Sequence, residues 1–204
     1  ETESNLLSLD AISLSFGGVT ALHDVSFNVR RGELRAIIGP NGSGKSSLLN
    51  CINGFYQPES GRITFKGESR PRMKPHAAAK LGIARTFQNI ALFLGMATLD
   101  NIMTGRNLKM HRNIFWQALH IGPARKEEAE HRAVAEEMMI FLGLEAARDT
   151  QVGALPYGLQ KRVELARALV AEPDLLLLDE PMAGMNREEK EDMCRTIIDA
   201  NEKL

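Results

Sequence analysis

The chain has 204 residues, 44% of them hydrophobic and 25% charged, and a net charge of −1. That length can bury one substantial core, and the near-neutral balance argues against nucleic acid as the main partner, because phosphate-binding surfaces are usually basic. The longest apolar run falls far short of the roughly 18 residues that span a bilayer, and no secretory leader is visible.

From the N-terminus, residues 6–30 alternate apolar and polar, as in SLDAISLSF and VSFNVRRG. A period of two predicts half-buried antiparallel strands in a small sheet. Glu33–Ile38 (ELRAII) reads as a buried strand, and it runs into Gly39–Ser46, GPNGSGKS. That string fits G-x-x-x-x-G-K-[ST], a turn whose backbone N–H groups wrap phosphate oxygens. Gly39, Pro40, Asn41, Gly42, Ser43 and Gly44 form the wrap, and Lys45, Ser46 and Ser47 complete it at the start of a helix. Glycine serves there because no Cβ separates backbone from anion and because parts of such a turn favour positive φ. The helix points its positive end at the anion. Lys45–Ile52 is that helix, ending near Gly54.

Cys51 lies in this helix and Cys194 near the C-terminus. Neither has a metal or redox spacing, so both read as small buried fillers in a reduced, cytosolic setting. Arg62–Lys66 (RITFK), between Gly61 and Gly67, is another strand, and a loop with Pro71 and Pro75 follows. Gln88, in ARTFQN, sits where a loop amide can reach a metal or its water.

From about Leu92 to Leu169 the pattern is helical. Arg125–Leu142 places Val134, Met138 and Leu142 on one apolar face, with Gly143 as the stop. Leu155–Leu169 (LPYGLQKRVELARAL) sets a glycine turn before a basic amphipathic helix. Leu175–Leu178 then reads as a fully buried parallel strand that delivers Asp179 and Glu180 at its carboxyl end, where open α/β sheets place ligands. Asp179 is assigned to a magnesium ion through water, beside the Ser46 hydroxyl, and Glu180 to the attacking water of phosphoryl transfer.

Taken in order, FGGVTAL (Phe16–Leu22), GPNGSGKSSLLNCINGFYQP (Gly39–Pro58), RTFQN (Arg85–Asn89), LPYGLQKRVELARAL and LLLLDEPMAGMN (Leu175–Asn186) resemble ABC-type ATPases. More narrowly they resemble the ATP-binding subunits of branched-chain amino acid importers. The resemblance implies a P-loop α/β core over 1–90 and 171–204, a small antiparallel β subdomain, and an inserted helical subdomain over about 91–170. It implies ATP and Mg²⁺ as cofactors, with Phe16 stacked on adenine, Lys45 on the β- and γ-phosphates, Ser46, Gln88 and Asp179 at the metal, and Glu180 as the catalytic carboxylate. Gln88 also senses the membrane partner, and the apolar stretch Asn89–Ile102 receives a permease helix. The implied partners are membrane permease subunits at the cytoplasmic face of the inner membrane and a second ABC ATPase subunit, identical or related.

Two departures qualify the match. The signature loop, read in the family as L-S-G-G-Q, touches the γ-phosphate held by the opposite subunit. Here Pro156 stands at the serine, Tyr157 at the first glycine and Leu159 at the glutamine, leaving Gly158 and the helix dipole to attract the phosphate. Proline brings neither a hydroxyl nor an N–H, though it suits the first turn of a helix. A weakened half-site is therefore expected. Second, the family's next strand, which lies between the two Walker strands, and its switch histidine do not follow Glu180 before Leu204. None of His23, His76, His111, His120 or His131 takes that role, and all five read as surface or boundary residues. A C-terminally truncated cassette is the expectation, with unpartnered backbone on both neighbouring strands. Against the importer ATPase stand two alternatives, a nucleotide-gated binding module with impaired hydrolysis and a soluble ABC ATPase.

Overall fold

A computed structural model describes residues 5–70, 73–86, 92–107, 109 and 123–203. Gln88, Asn89, His111 and His120 lie outside the described residues. The chain divides into two units, Glu1–Ile83 with Ile197–Leu204, and Ala84–Thr196.

In the first unit, β1 (Asn5–Phe16), β2 (Val19–Arg30), β3 (Ser60–Phe65) and β4 (Glu68–Ser69) form an antiparallel sheet in the order β2-β1-β3-β4. The β1–β2 hairpin closes on Gly17 and Gly18, both at positive φ, which matches the right-handed twist of the strands it joins. Leu7, Leu9, Ile12 and Leu14 of β1 are all buried, so the period-2 pattern slips by one residue between Leu9 and Ile12. The pairing with β2 shifts at the same place, and Ala11 there has φ +51. An extra residue in one strand produces both effects. Gly61 of β3 answers the bulge: a Cβ there would stand 2.4 Å from the Ala11 carbonyl oxygen. Leu7 faces Phe65, and Leu9 faces Ile63, in the buried layer of the sheet.

The expected strand at Arg62–Lys66 is thus Ser60–Phe65, with Lys66 already in a turn at φ +51. Glu33–Ile38 differs more: it forms no strand, and Leu34 and Ile38 are 58% and 93% exposed. Its composition suits a buried strand, but a strand also needs a neighbour to bond. No strand pairs with it among the described residues. Glu33 braces the start of the segment by accepting from the Arg30 backbone N–H at 2.8 Å and from Arg35 Nε at 2.8 Å, and these bonds hold its carboxyl below the usual range.

Helix α1 (Lys45–Ile52) anchors on Leu48, Leu49, Cys51 and Ile52. It stops at Gly54, φ +78, where a Cβ would meet the Met73 carbonyl oxygen at 2.5 Å. Helix α2 (Pro75–Lys80) opens on its proline, whose fixed φ suits a first turn.

β5 (Ile83–Arg85), whose last two residues open the second unit, pairs with β6 (Leu175–Leu177), and the Thr86 N–H continues the ladder to the Leu177 carbonyl at 3.0 Å. Leu175 and Leu176 are only half-buried, which corrects the expectation of a fully buried strand to Leu178. Among the described residues, the helical stretch holds α3 (Thr98–Met103), α4 (Pro123–Phe141) and α5 (Tyr157–Leu169), with short 3₁₀ turns between. Met138 and Leu142 are buried as expected, with Ala135 and Met139 beside them, whereas Val134 is half-buried. Gly143 ends the run at φ +64. Asn101, fully buried in α3, donates to the Phe93, Met96 and Ala97 carbonyls and accepts from the Phe93 N–H, which pins the preceding loop. Helix α6 (Arg187–Lys203) begins with a reciprocal cap: Asn186 Oδ1 accepts from the Glu189 N–H and Glu189 Oε2 from the Asn186 N–H, each at 2.9 Å.

Candidate nucleotide site

The phosphate loop lies in the first unit. Gly44 caps α1 in the left-handed region at φ 90, and a Cβ there would stand 2.4 Å from the Ala21 carbonyl oxygen. Gly42 has φ +81, and a Cβ on Gly39 would strike Ser43 Oγ at 2.5 Å. Gly44, with positive φ and a backbone oxygen where a Cβ would stand, is the position where the loop's path requires glycine. No acidic residue occupies the first turn of α1, so its N–H groups and positive end remain fit for an anion. Lys45 Nζ folds back to donate to the Gly39 and Pro40 carbonyls at 2.7 and 2.8 Å, which closes the loop into a ring around its own cation. A phosphate can replace those two acceptors with stronger, charge-assisted ones.

Phe16, at the tip of the β1–β2 hairpin, is 45% exposed and so keeps ring surface for a base. Tyr56 meets it edge-on at 5.0 Å between centroids. Cys51, behind the loop in α1, is buried as expected, and burial pushes its thiol up to about 11.

The acid pair lies in the second unit. Asp179, just past β6, is 4% exposed and accepts from Arg85 NH2 at 2.8 Å, with Arg85 itself 10% exposed. Glu180 follows, exposed and at φ +47, a left-handed conformation uncommon for a residue with a Cβ. Such strain is found at functional sites. Ser46 in the first unit and Asp179 in the second each carry a hard oxygen donor of the kind that magnesium takes. No cluster of three or more His, Cys, Asp or Glu side chains that could hold a metal occurs among the described residues.

The signature segment opens α5. Pro156 is the cap residue immediately before the helix, at φ −53 and ψ 149, not within its first turn, and its carbonyl accepts from the Gln160 N–H at 3.1 Å. Tyr157 is 42% exposed. Gly158 is buried, and a Cβ on it would stand 2.7 Å from Glu189 Oε1. The positive end of α5 therefore already faces an acid of its own chain.

Three features escaped the sequence. Arg85 sits three residues before Gln88 but 94 residues from Asp179, and no local pattern links them. Glu189 is foreshadowed by N-x-x-E at Asn186–Glu189, a capping-box spacing. His131, expected at the surface or its boundary, is buried: its Nδ1 accepts from Arg106 Nε at 3.0 Å, while Arg106 NH1 reaches Glu172 Oε1 at 2.8 Å and Lys109 pairs with the other Glu172 oxygen. His23 and His76 are exposed as expected. Cys194 is exposed, not a buried filler, with Sγ 3.6 Å from Met182 Sδ.

Comparison with known proteins places this geometry. Residues 22–183 match the ABC transporter family model. The high-affinity branched-chain amino acid transport ATP-binding protein LivG of Salmonella typhimurium is 33% identical over 194 residues, covering 95% of this chain and 76% of the relative. The corresponding BraF protein of Pseudomonas aeruginosa is 35% identical, over 92% of this chain and 74% of its own length. The crystal structure of the ADP conformation of MJ1267, an ATP-binding cassette of an ABC transporter, is 32% identical and superposes with a TM-score of 0.84 over 98% of this chain and 78% of that one. With its glycine-lined phosphate loop and the acid pair beyond β6, the chain belongs to the ABC transporter family, as one of its α/β ATP-binding cassettes.

Proposed function

We propose that this chain is an ATP-binding subunit that hydrolyses ATP to drive import of branched-chain amino acids, or a related small solute, through membrane permease subunits. The observation that carries the reading is the Gly39–Ser46 loop, closed on Lys45 and continuous with an α1 N-terminus that carries no acid in its first turn. The relatives named for branched-chain amino acid transport support the solute class. Gly39, Pro40, Asn41, Gly42, Ser43, Gly44, Lys45 and Ser47 hold the phosphates, and Phe16 stacks on the base. Ser46, Asp179 and Gln88 would hold Mg²⁺, which would supply charge neutralisation to the phosphates. Glu180 orients the water that attacks the γ-phosphorus as ADP leaves.

Tyr157 and Gly158 face the nucleotide of a second ABC ATPase subunit, the same chain or a related one. Because the Pro156 cap brings no donor and Glu189 lies over Gly158, this face contributes a weakened half-site. Pro156→Ser should therefore raise hydrolysis by the assembled dimer, and an unchanged rate would contradict the weakened half-site. No helix among the described residues is long and apolar enough to cross a membrane. The subunit docks peripherally at the cytoplasmic face of the inner membrane, where Gln88 and the exposed Phe93 and Leu94 meet the permease. The helical subdomain over about 91–170 carries that contact, and 1–90 with 171–204 carry the chemistry.

The direct test is Glu180→Gln in the assembled transporter. ATP binding should persist while turnover stalls with the dimer closed; normal turnover would remove Glu180 from the chemistry.

A further inference from the structure

The first unit carries a row of three aromatic rings that the phosphate loop does not use. Phe16 and Tyr56 meet at 5.0 Å with their planes at 67°, and Phe55 and Tyr56 at 5.5 Å and 64°. Phe16 and Phe55 are 45% and 64% exposed, so burial alone does not hold them in place. Edge-to-face packing is the arrangement that ring quadrupoles favour.

The two ends of the row differ in stiffness. Phe16 sits beside Gly17 and Gly18, both at positive φ, at the tip of a hairpin where it pairs with Val19. Tyr56 is tied down: its N–H donates to the Asn50 carbonyl of α1 at 3.0 Å. The turn around it is pinned as well, with Asn53 Oδ1 accepting from the Phe55 N–H at 3.1 Å and Gln57 Nε2 donating to the Met73 carbonyl at 2.7 Å. In a T-shaped pair at least one face of Phe16 stays uncovered by Tyr56. A ring with one face free and its orientation fixed from outside is a prepared stacking surface, and fixing it in advance lowers the ordering cost when a ligand arrives.

We propose that Tyr56 is a positioning residue for the nucleotide base: it holds the Phe16 ring in the orientation that stacks on the purine, and Phe55 braces Tyr56 from the other side. This rests on the assignment of Phe16 to the base. Phosphate loop and base platform then stand at opposite ends of α1, whose N-terminus follows Gly44 and whose C-terminus leads into Tyr56. Tyr56 acts on the base end alone.

The test is titration calorimetry with two probes, ATP and inorganic tripolyphosphate, on the wild-type chain and on Phe16→Ala, Tyr56→Leu and Tyr56→Phe. Tyr56→Leu should weaken ATP about threefold to tenfold, the scale of one aromatic pair, and leave tripolyphosphate unchanged. Tyr56→Phe should bind both probes like wild type, because the contact is between rings and not through the hydroxyl. Phe16→Ala should weaken ATP at least as much as Tyr56→Leu. If Phe16→Ala weakens ATP and Tyr56→Leu does not, the positioning role is overturned while the base platform stands. If Tyr56→Leu weakens both probes equally, Tyr56 supports the fold and the proposal is overturned. If Phe16→Ala leaves ATP unchanged, the base assignment itself fails and the proposal with it.

Discussion

Replacing Arg85 by Met removes the guanidinium that faces Asp179 and keeps much of its bulk. The pair is 2.8 Å apart, with side chains 10% and 4% exposed, so water screens it little. Breaking a buried pair by deleting one partner costs about 3–5 kcal/mol, because the remaining charge stays buried with that attraction lost. In a protein of this size each kcal/mol lowers the melting temperature by about 2–4 °C, which gives roughly 6–20 °C. Thermal unfolding followed by circular dichroism, with urea titration for the free energy, measures both. The companion variant Arg85→Met/Asp179→Leu removes both charges and should recover to within about 1–2 kcal/mol of wild type, since apolar replacement of a buried pair is often neutral. A loss below about 1 kcal/mol for Arg85→Met, or a double variant no better than the single, would refute the view that this pair is buried and mutually compensated.

Two further outcomes are expected. Glu172 has its carboxyl held below the usual range by its bond from Lys109 and then by that from Arg106, against a partial desolvation that acts the other way. A depressed folded-state pKa adds stability above the unfolded value, near 4.5, and loses it as pH falls through the folded value. The gap in melting temperature between wild type and Glu172→Gln should thus shrink from pH 7 to pH 3; an equal gap at both would contradict the ion-pair origin. For the thiols, Cys194 is exposed and Cys51 is buried with its pKa raised to about 11, so maleimide at neutral pH should label Cys194 quickly and Cys51 only on unfolding. Equal labelling rates would contradict the burial.

What could be read from the sequence was what is local. The phosphate loop is specified by glycines and a lysine within eight positions, and the loop, cap and helix all follow from steric rules on neighbouring residues. The β1–β2 hairpin was legible from its alternation, although the slip at Ala11 needed the pairing to explain it. Long-range partnership was not legible. Glu33–Ile38 has strand composition with no strand paired to it among the described residues, and Arg85 finds Asp179 across 94 residues. Arg106, His131 and Glu172 converge from three separate segments, so the burial of His131 depends on packing that periodicity does not encode. Helix α6 went unanticipated although its Asn186–Glu189 cap was in plain view, and Cys194 sits on the face of that helix that solvent reaches.

The central claim is that main-chain amides and Lys45 capture a nucleotide's phosphates. Calorimetric titration of the chain with ATP and Mg²⁺, beside Lys45→Ala, tests it most directly. Wild type should give a saturable isotherm with one site per chain, and Lys45→Ala, which loses the cation now resting on the Gly39 and Pro40 carbonyls, should bind at least about tenfold more weakly, the effect of one charge-assisted bond. No heat from wild type, or the same isotherm from both proteins, would contradict the account.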